Sequence, residues 1–140
     1  MRETSIGWML QRITGALDEA MNTRLAALDM NLGTFAVMMT VLEHGPLTQA
    51  EIGKRFGMAP YAISRAVDTL EELGFVSRGA HAHSRRAHSI TATVEGVAIA
   101  PKLHAVVRDV NAALAAPLSA AERETLTALL RKVLPGRDAP

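Results

Sequence analysis

A mainly α-helical fold with one small β-hairpin is predicted by three features of the chain. Apolar residues recur at helical spacing over most of its length, helix-start and helix-stop residues divide that pattern into segments, and one pair of short β-prone stretches flanks a polar run. Composition points the same way. Only five residues are Phe, Trp or Tyr, so the core must be built from Leu, Val, Ile, Ala and Met, a mixture that suits helices.

Ile6, Leu10, Ile13 and Leu17 open the helical pattern, and Met21, Leu25 and Leu28 continue it, which predicts one long helix over residues 5–28. Asp29-Met30-Asn31 breaks it. Asn31 is placed to cap a second helix that runs to about residue 43, before Gly45-Pro46. Thr48 with Glu51 three residues on predicts a capping box for a short third helix over 48–56, with Gly57 as its left-handed end. Pro60 suits the first position of a fourth helix, Ile63, Val67 and Leu70 give that helix a buried stripe, and Gly74 ends it.

Phe75 to Arg78 then reads as a strand, residues 79–87 as a polar loop long enough to project as a wing, and His88 to Ala92 as the return strand. Thr93 opens a fifth helix to about residue 115, with a kink expected where the Pro101 ring meets the Val97 carbonyl. Ser119 and Glu122 form a second capping box, for a sixth helix whose apolar stripe is Leu126, Leu129, Leu130 and Val133.

The absence of cysteine excludes disulfides, thiolate nucleophiles and cysteine-based zinc sites, and fits a reducing cytoplasm. No apolar run is long enough for a signal segment or a spanning helix, so a membrane role is not expected. No nucleophile–base pair, phosphate loop or paired-carboxylate motif is visible, which argues against an enzyme and leaves no cofactor to predict. The net charge of +1 decides nothing, but its distribution does: between Glu72 and Glu95 there is no acid, while the gap holds Arg78, Arg85, Arg86 and three histidines. A basic stretch free of acids points to a polyanionic partner.

The element order is four helices, strand, wing, strand and two helices, which is a winged helix-turn-helix lobe over residues 31–92 with a helical dimerisation region at 1–30 and 93–140, all within a single 1–140 domain. Over residues 5–134 the chain resembles the MarR family. The resemblance rests on Met30 to Val37, Leu47 to Gly57, Ile63 to Val76, Ser84-Arg85-Arg86, Thr93-Val94-Glu95-Gly96 and Leu118 to Arg123, in that order and spacing. Ser84 stands where the family's wing usually has an acid, and Ala92 where a leucine usually precedes the Thr-x-x-Gly motif.

The resemblance implies a homodimeric, ligand-responsive transcriptional regulator that binds double-stranded DNA, with two lobes reading half-sites of a pseudo-palindromic operator about 34–36 Å apart. On the fourth helix Pro60, Tyr61, Ser64 and Arg65 are the candidates for the major groove, Arg65 toward a guanine edge and Ser64 toward phosphate or base. The plainer alternative for Arg65 is a surface pair with Asp68 or Thr69. Arg86, then Arg85, are the wing candidates for the minor groove, and Thr48 and Gln49 bring the start of the third helix toward phosphate, although capping alone explains Thr48.

The family's effectors are small aromatic or phenolic acids held between the dimer region and the lobe. Trp8, Phe35, Met38 and Met39 are candidates for such a pocket, with Arg12 as carboxylate partner; ordinary core packing is the plainer reading of these side chains. His81, His83 and His88 match no zinc spacing, and no metal site is expected there. Glu43, His44 and His104 partly resemble a zinc-sensing set, but Arg108 stands one turn beyond His104 where a further ligand is needed. Two alternatives stay open beside DNA binding: a metal-responsive regulator, and a winged helix that binds protein, for which the acid Asp68 on the fourth helix leaves room.

Overall fold

The computed structural model describes residues 2–81 and 84–134, without the side chains of 2, 81 and 84–87. After a single 3-10 turn come α1 (Ile6–Ala26), α2 (Leu32–His44), β1 (Leu47–Thr48), α3 (Gln49–Phe56), α4 (Pro60–Glu72), β2 (Val76–His81), β3 (Ser84–Ala92), α5 (Val94–Ala115) and α6 (Ala120–Val133).

The helix boundaries follow local chemistry. Ser5, Asn31, Thr48, Thr93 and Ser119 each cap a helix with a side-chain oxygen that accepts from a backbone N–H three residues on. Asn31 and Ser119 complete reciprocal boxes with Thr34 and Glu122. The Thr48 box differs from the expectation: the Glu51 carboxylate takes the Thr48 hydroxyl at 3.1 Å. Thr48 is also a strand residue, paired with Ser89.

Helix α1 stops two residues sooner than expected. Met30 N–H donates to the Leu25 carbonyl and Asp29 N–H to that of Ala26, and Asp29 itself takes φ 57°. This is the left-handed closure that glycine usually supplies and that aspartate tolerates. Gly74, at φ 82°, closes α4 in the same way.

Two β features differ from the sequence reading. The sheet has three strands, in order β1-β3-β2, all antiparallel, because Leu47 and Thr48 pair with Ile90 and Ser89. A two-residue strand is too short to show periodicity, so nothing local marks it. Much of the expected 79–87 loop is strand: Gly79 pairs with Ser89 and Ala80 with His88, with an irregularity at Ala80/His81 before the Ser84 pairing. Its described residues are mostly exposed, so the apolar alternation that marks a half-buried strand is absent there.

The core gathers Leu25 of α1, Val37, Met38 and Val41 of α2, Ile52 of α3, Ile63, Val67 and Leu70 of α4, Val76 and Ile90 of the sheet, and Leu103, Val106 and Val110 of α5 into one cluster. It therefore joins the winged lobe to α5 and to the C-terminal part of α1. Helix α5 runs on through Pro101 as one element. An Arg24–Asp109 ion pair at 3.0 Å also ties α1 to α5; both partners are about half exposed, so it contributes little.

Helix α6 buries none of its described residues, and Leu126, Leu129, Leu130 and Val133 lie exposed, as do Ile6, Met9, Leu10 and Ile13 of α1. The α6 start is held by the Ser119–Glu122 box, whose hydrogen bonds from the Ser119 backbone and side chain lower the Glu122 pKa. A lowered carboxylate pKa stabilises above the unfolded value, so this cap weakens as pH falls through the lowered one.

Candidate nucleic-acid interface

Helix α4 packs Ile63, Ala66, Val67 and Leu70 into the core and turns its other face outward. Tyr61 is 69% exposed, Arg65 and Pro60 are exposed and Ser64 is half-buried. The face proposed from sequence is therefore the free one. Ala59 caps the helix without a side-chain hydrogen bond, and Pro60 fills a first-turn position that needs no donor. A groove of about 340 Å³ opens beside this face, between α4 and the start of α2, with Tyr61, Arg65, Thr69, Met58 and Asn31 among its lining.

One of the two alternative partners for Arg65 is taken. Asp68 lies 2.7 Å from Arg78 of β2, not on Arg65. Arg65 makes no hydrogen bond or ion pair among the described residues. Arg78 escaped the sequence reading as a site residue, being noted only as one charge in a basic stretch. Its Nε donates to Gln49 Oε1 at 3.2 Å and its Nη atoms meet Glu71 Oε1 at 3.1 Å and the Ser64 carbonyl at 3.3 Å. No local signal reveals this cluster, because its members come from three elements.

The other candidates fall as follows. Thr48 is 8% exposed, with its hydroxyl accepting from the Glu51 amide and donating to the Glu51 carboxylate, and Gln49 is half-buried with its amide oxygen on Arg78. The side chains of Arg85 and Arg86 lie outside the described residues, as does that of His81, and His83 lies outside altogether.

Arg12 sits over the Trp8 ring at 5.6 Å from its centroid. Met38 is fully buried in the core, and Phe35 and Met39 are partly buried against it. Among the described residues no cluster of three or more His, Asp or Glu is arranged to hold a metal. His44 instead faces Arg55 at 3.3 Å. No helix of the described residues is long and apolar enough to cross a membrane.

A helix-turn-helix whose second helix presents its outer face, followed by a β-hairpin projecting from the same lobe, defines a winged-helix protein of the DNA-reading type. The family model described as the MarR family matches residues 28–87, which span α2 to the hairpin. The chain is 28% identical over 131 residues to the HTH-type transcriptional repressor Rv2887 of Mycobacterium tuberculosis, covering 94% of each. A mutant of Escherichia coli MarR crystallised with operator DNA superposes with a TM-score of 0.80 at 29% identity, over 93% of this chain and 94% of that one. The M. tuberculosis protein Rv2887 in complex with salicylic acid gives 0.75 at 28% identity, over 93% and 96%. Over nearly its whole length the chain is similar to winged-helix transcriptional regulators of the MarR family.

Proposed function

We propose that this protein is a sequence-specific, double-stranded-DNA-binding transcriptional regulator, a ligand-responsive repressor that acts as a homodimer on a pseudo-palindromic operator in the cytoplasm, without catalytic activity of its own. The observation that carries this reading is the outer face of α4, where Arg65 stands exposed and unpaired among the described residues, as Tyr61 stands exposed, with the α4 acids Asp68 and Glu71 held by Arg78. Residues 31–92 form the DNA-reading lobe, and 1–30 with 93–140 the dimerisation region, whose exposed apolar stripes a second copy covers. The operator complex of E. coli MarR supports the DNA partner.

In this reading Arg65 contacts a base edge, Pro60, Tyr61 and Ser64 fill the groove around it, Thr48 and Gln49 bring the start of α3 to phosphate through its backbone, and Arg86 with Arg85 reaches the minor groove from the wing. Replacing Arg65 by alanine is expected to cost about 1–3 kcal/mol of operator binding and to relax base preference at one position of each half-site. Gel shifts against a duplex that the wild-type protein selects from a random pool measure both. Wild-type affinity should also fall steeply with salt, since phosphate contacts release counterions. A flat salt response or failure to select any duplex would overturn the DNA reading itself.

The effector we propose is a small phenolic or aromatic acid, supported by the salicylic acid complex of the M. tuberculosis relative. Trp8, Arg12, Phe35 and Met39 are the residues we assign to its site, with Arg12 meeting the carboxylate, whereas the fully buried Met38 belongs to the core and is withdrawn from it. Calorimetry with salicylate tests this: Arg12→Ala should weaken binding at least about tenfold through loss of a charge-assisted contact. Unchanged affinity would move the site elsewhere. A ligand that binds better to one lobe separation shifts the dimer away from the spacing that fits DNA.

A further inference from the structure

We infer that Arg78 is a positioning residue for DNA recognition: it takes up the carboxylates of Asp68 and Glu71, so that α4 turns Arg65 and not an uncompensated acid toward the duplex. The inference rests on the DNA-binding reading above and deepens it.

The arrangement has a problem to solve. Asp68 and Glu71 stand about one and two turns beyond Arg65 on α4 and their side chains are 57% and 45% exposed, so on the reading above both reach the surface that would meet phosphate. Free carboxylates there would repel the duplex, because like charges brought together across an interface are strongly unfavourable. Arg78 answers with one guanidinium. It lies 2.7 Å from Asp68 and 3.1 Å from Glu71, and its own amide donates to the second Glu71 oxygen at 3.3 Å.

Its remaining donors fix where that charge sits. Nε is held by Gln49 at the start of α3, and one Nη by the Ser64 carbonyl within α4. The Arg78 side chain is 19% exposed, well below that of either acid, so it is the most sheltered of the three. A planar fork with five donors can serve four acceptors at once, which an ammonium cannot. The root of the wing, α3 and α4 are thereby tied together at the place where the helix-turn-helix must keep its shape.

A double-mutant cycle on the full-length protein tests this, with the duplex selected by the wild type as probe. Arg78→Gln should weaken binding at least about tenfold. One guanidinium offsets only one of the two carboxylate charges, so Asp68→Asn/Glu71→Gln should tighten binding somewhat while Arg78 is present and by at least about threefold more in the Arg78→Gln background, where it recovers most of the loss because both acids there face DNA uncompensated. A merely structural tie would not be restored by removing its acceptors. Effects that simply add, within threefold, would overturn the inference and leave Arg78 as an independent contact or a bystander.

Should Arg78→Gln yield no folded protein, Arg78→Lys replaces it in the same cycle. One ammonium can face one acid but not both, so neutralising the other should restore binding; no recovery from either acid would again overturn the inference. Failure of the wild type to select any duplex would instead strike the DNA-binding reading, which keeps the two failures apart.

Discussion

Replacing Leu126 and Leu130 by aspartate should leave the chain folded but monomeric, and should lower its affinity for the operator duplex by more than about a hundredfold, the loss of one of two linked binding modules. The fold should survive because α6 contributes no buried residue to the core of the single chain. The assembly should not, because Leu126, Leu129, Leu130 and Val133 present an exposed apolar stripe on α6 whose burial is worth about 1.5–3 kcal/mol per large side chain. A carboxylate at two of those positions must be desolvated for the helix to pack. Light scattering should show the mass fall from twice 15.0 kDa to the single-chain value, with circular dichroism unchanged. A dimer that persists would place the twofold interface elsewhere on the chain.

Gly96→Ala should destabilise the protein by about 3 kcal/mol, at the upper end of what overpacking costs. A methyl group there would lie 2.0 Å from the Phe75 carbonyl oxygen and 2.9 Å from Met38 Cε. The methionine can move, but the carbonyl cannot: it accepts the Thr93 amide at 3.0 Å, and the Phe75 amide is held by Leu70 in the closure of α4. Thr93 also donates its hydroxyl to the Gly74 carbonyl while capping Gly96. The Thr93-x-x-Gly96 motif is thus a cap and a close approach in one, locking the start of α5 onto the turn that leads into the wing. Urea unfolding at fixed protein concentration measures the loss. A midpoint shift worth under about 1 kcal/mol would mean that the α5 start can slide away, against the dense packing expected of a core.

Much of the local fold that positions the candidate site was legible because its grammar is local. Thr48, Asn31 and Ser119 each satisfy donors within three residues, and Ile63, Val67 and Leu70 define the buried side of α4, so the opposite side carrying Tyr61 and Arg65 follows from helical geometry. The Met38 position illustrates the reverse. Its spacing is equally consistent with lining a pocket and with packing, and its complete burial depends on neighbours that periodicity cannot name.

The sequence by itself determined the succession of helices, their caps and stops, and which face of α4 is free, since each depends on residues one to seven positions apart. The tertiary structure alone decided the third strand, the strand character of the wing and the partner of Asp68. Leu47 pairs with Ile90, and Arg78 reaches Gln49, Ser64 and Asp68 across 29, 14 and ten positions of chain. Contacts of that kind form where folded elements meet, and a backbone ladder or a guanidinium fork accepts almost any residue able to supply an oxygen, so the chain bears no periodic mark of them.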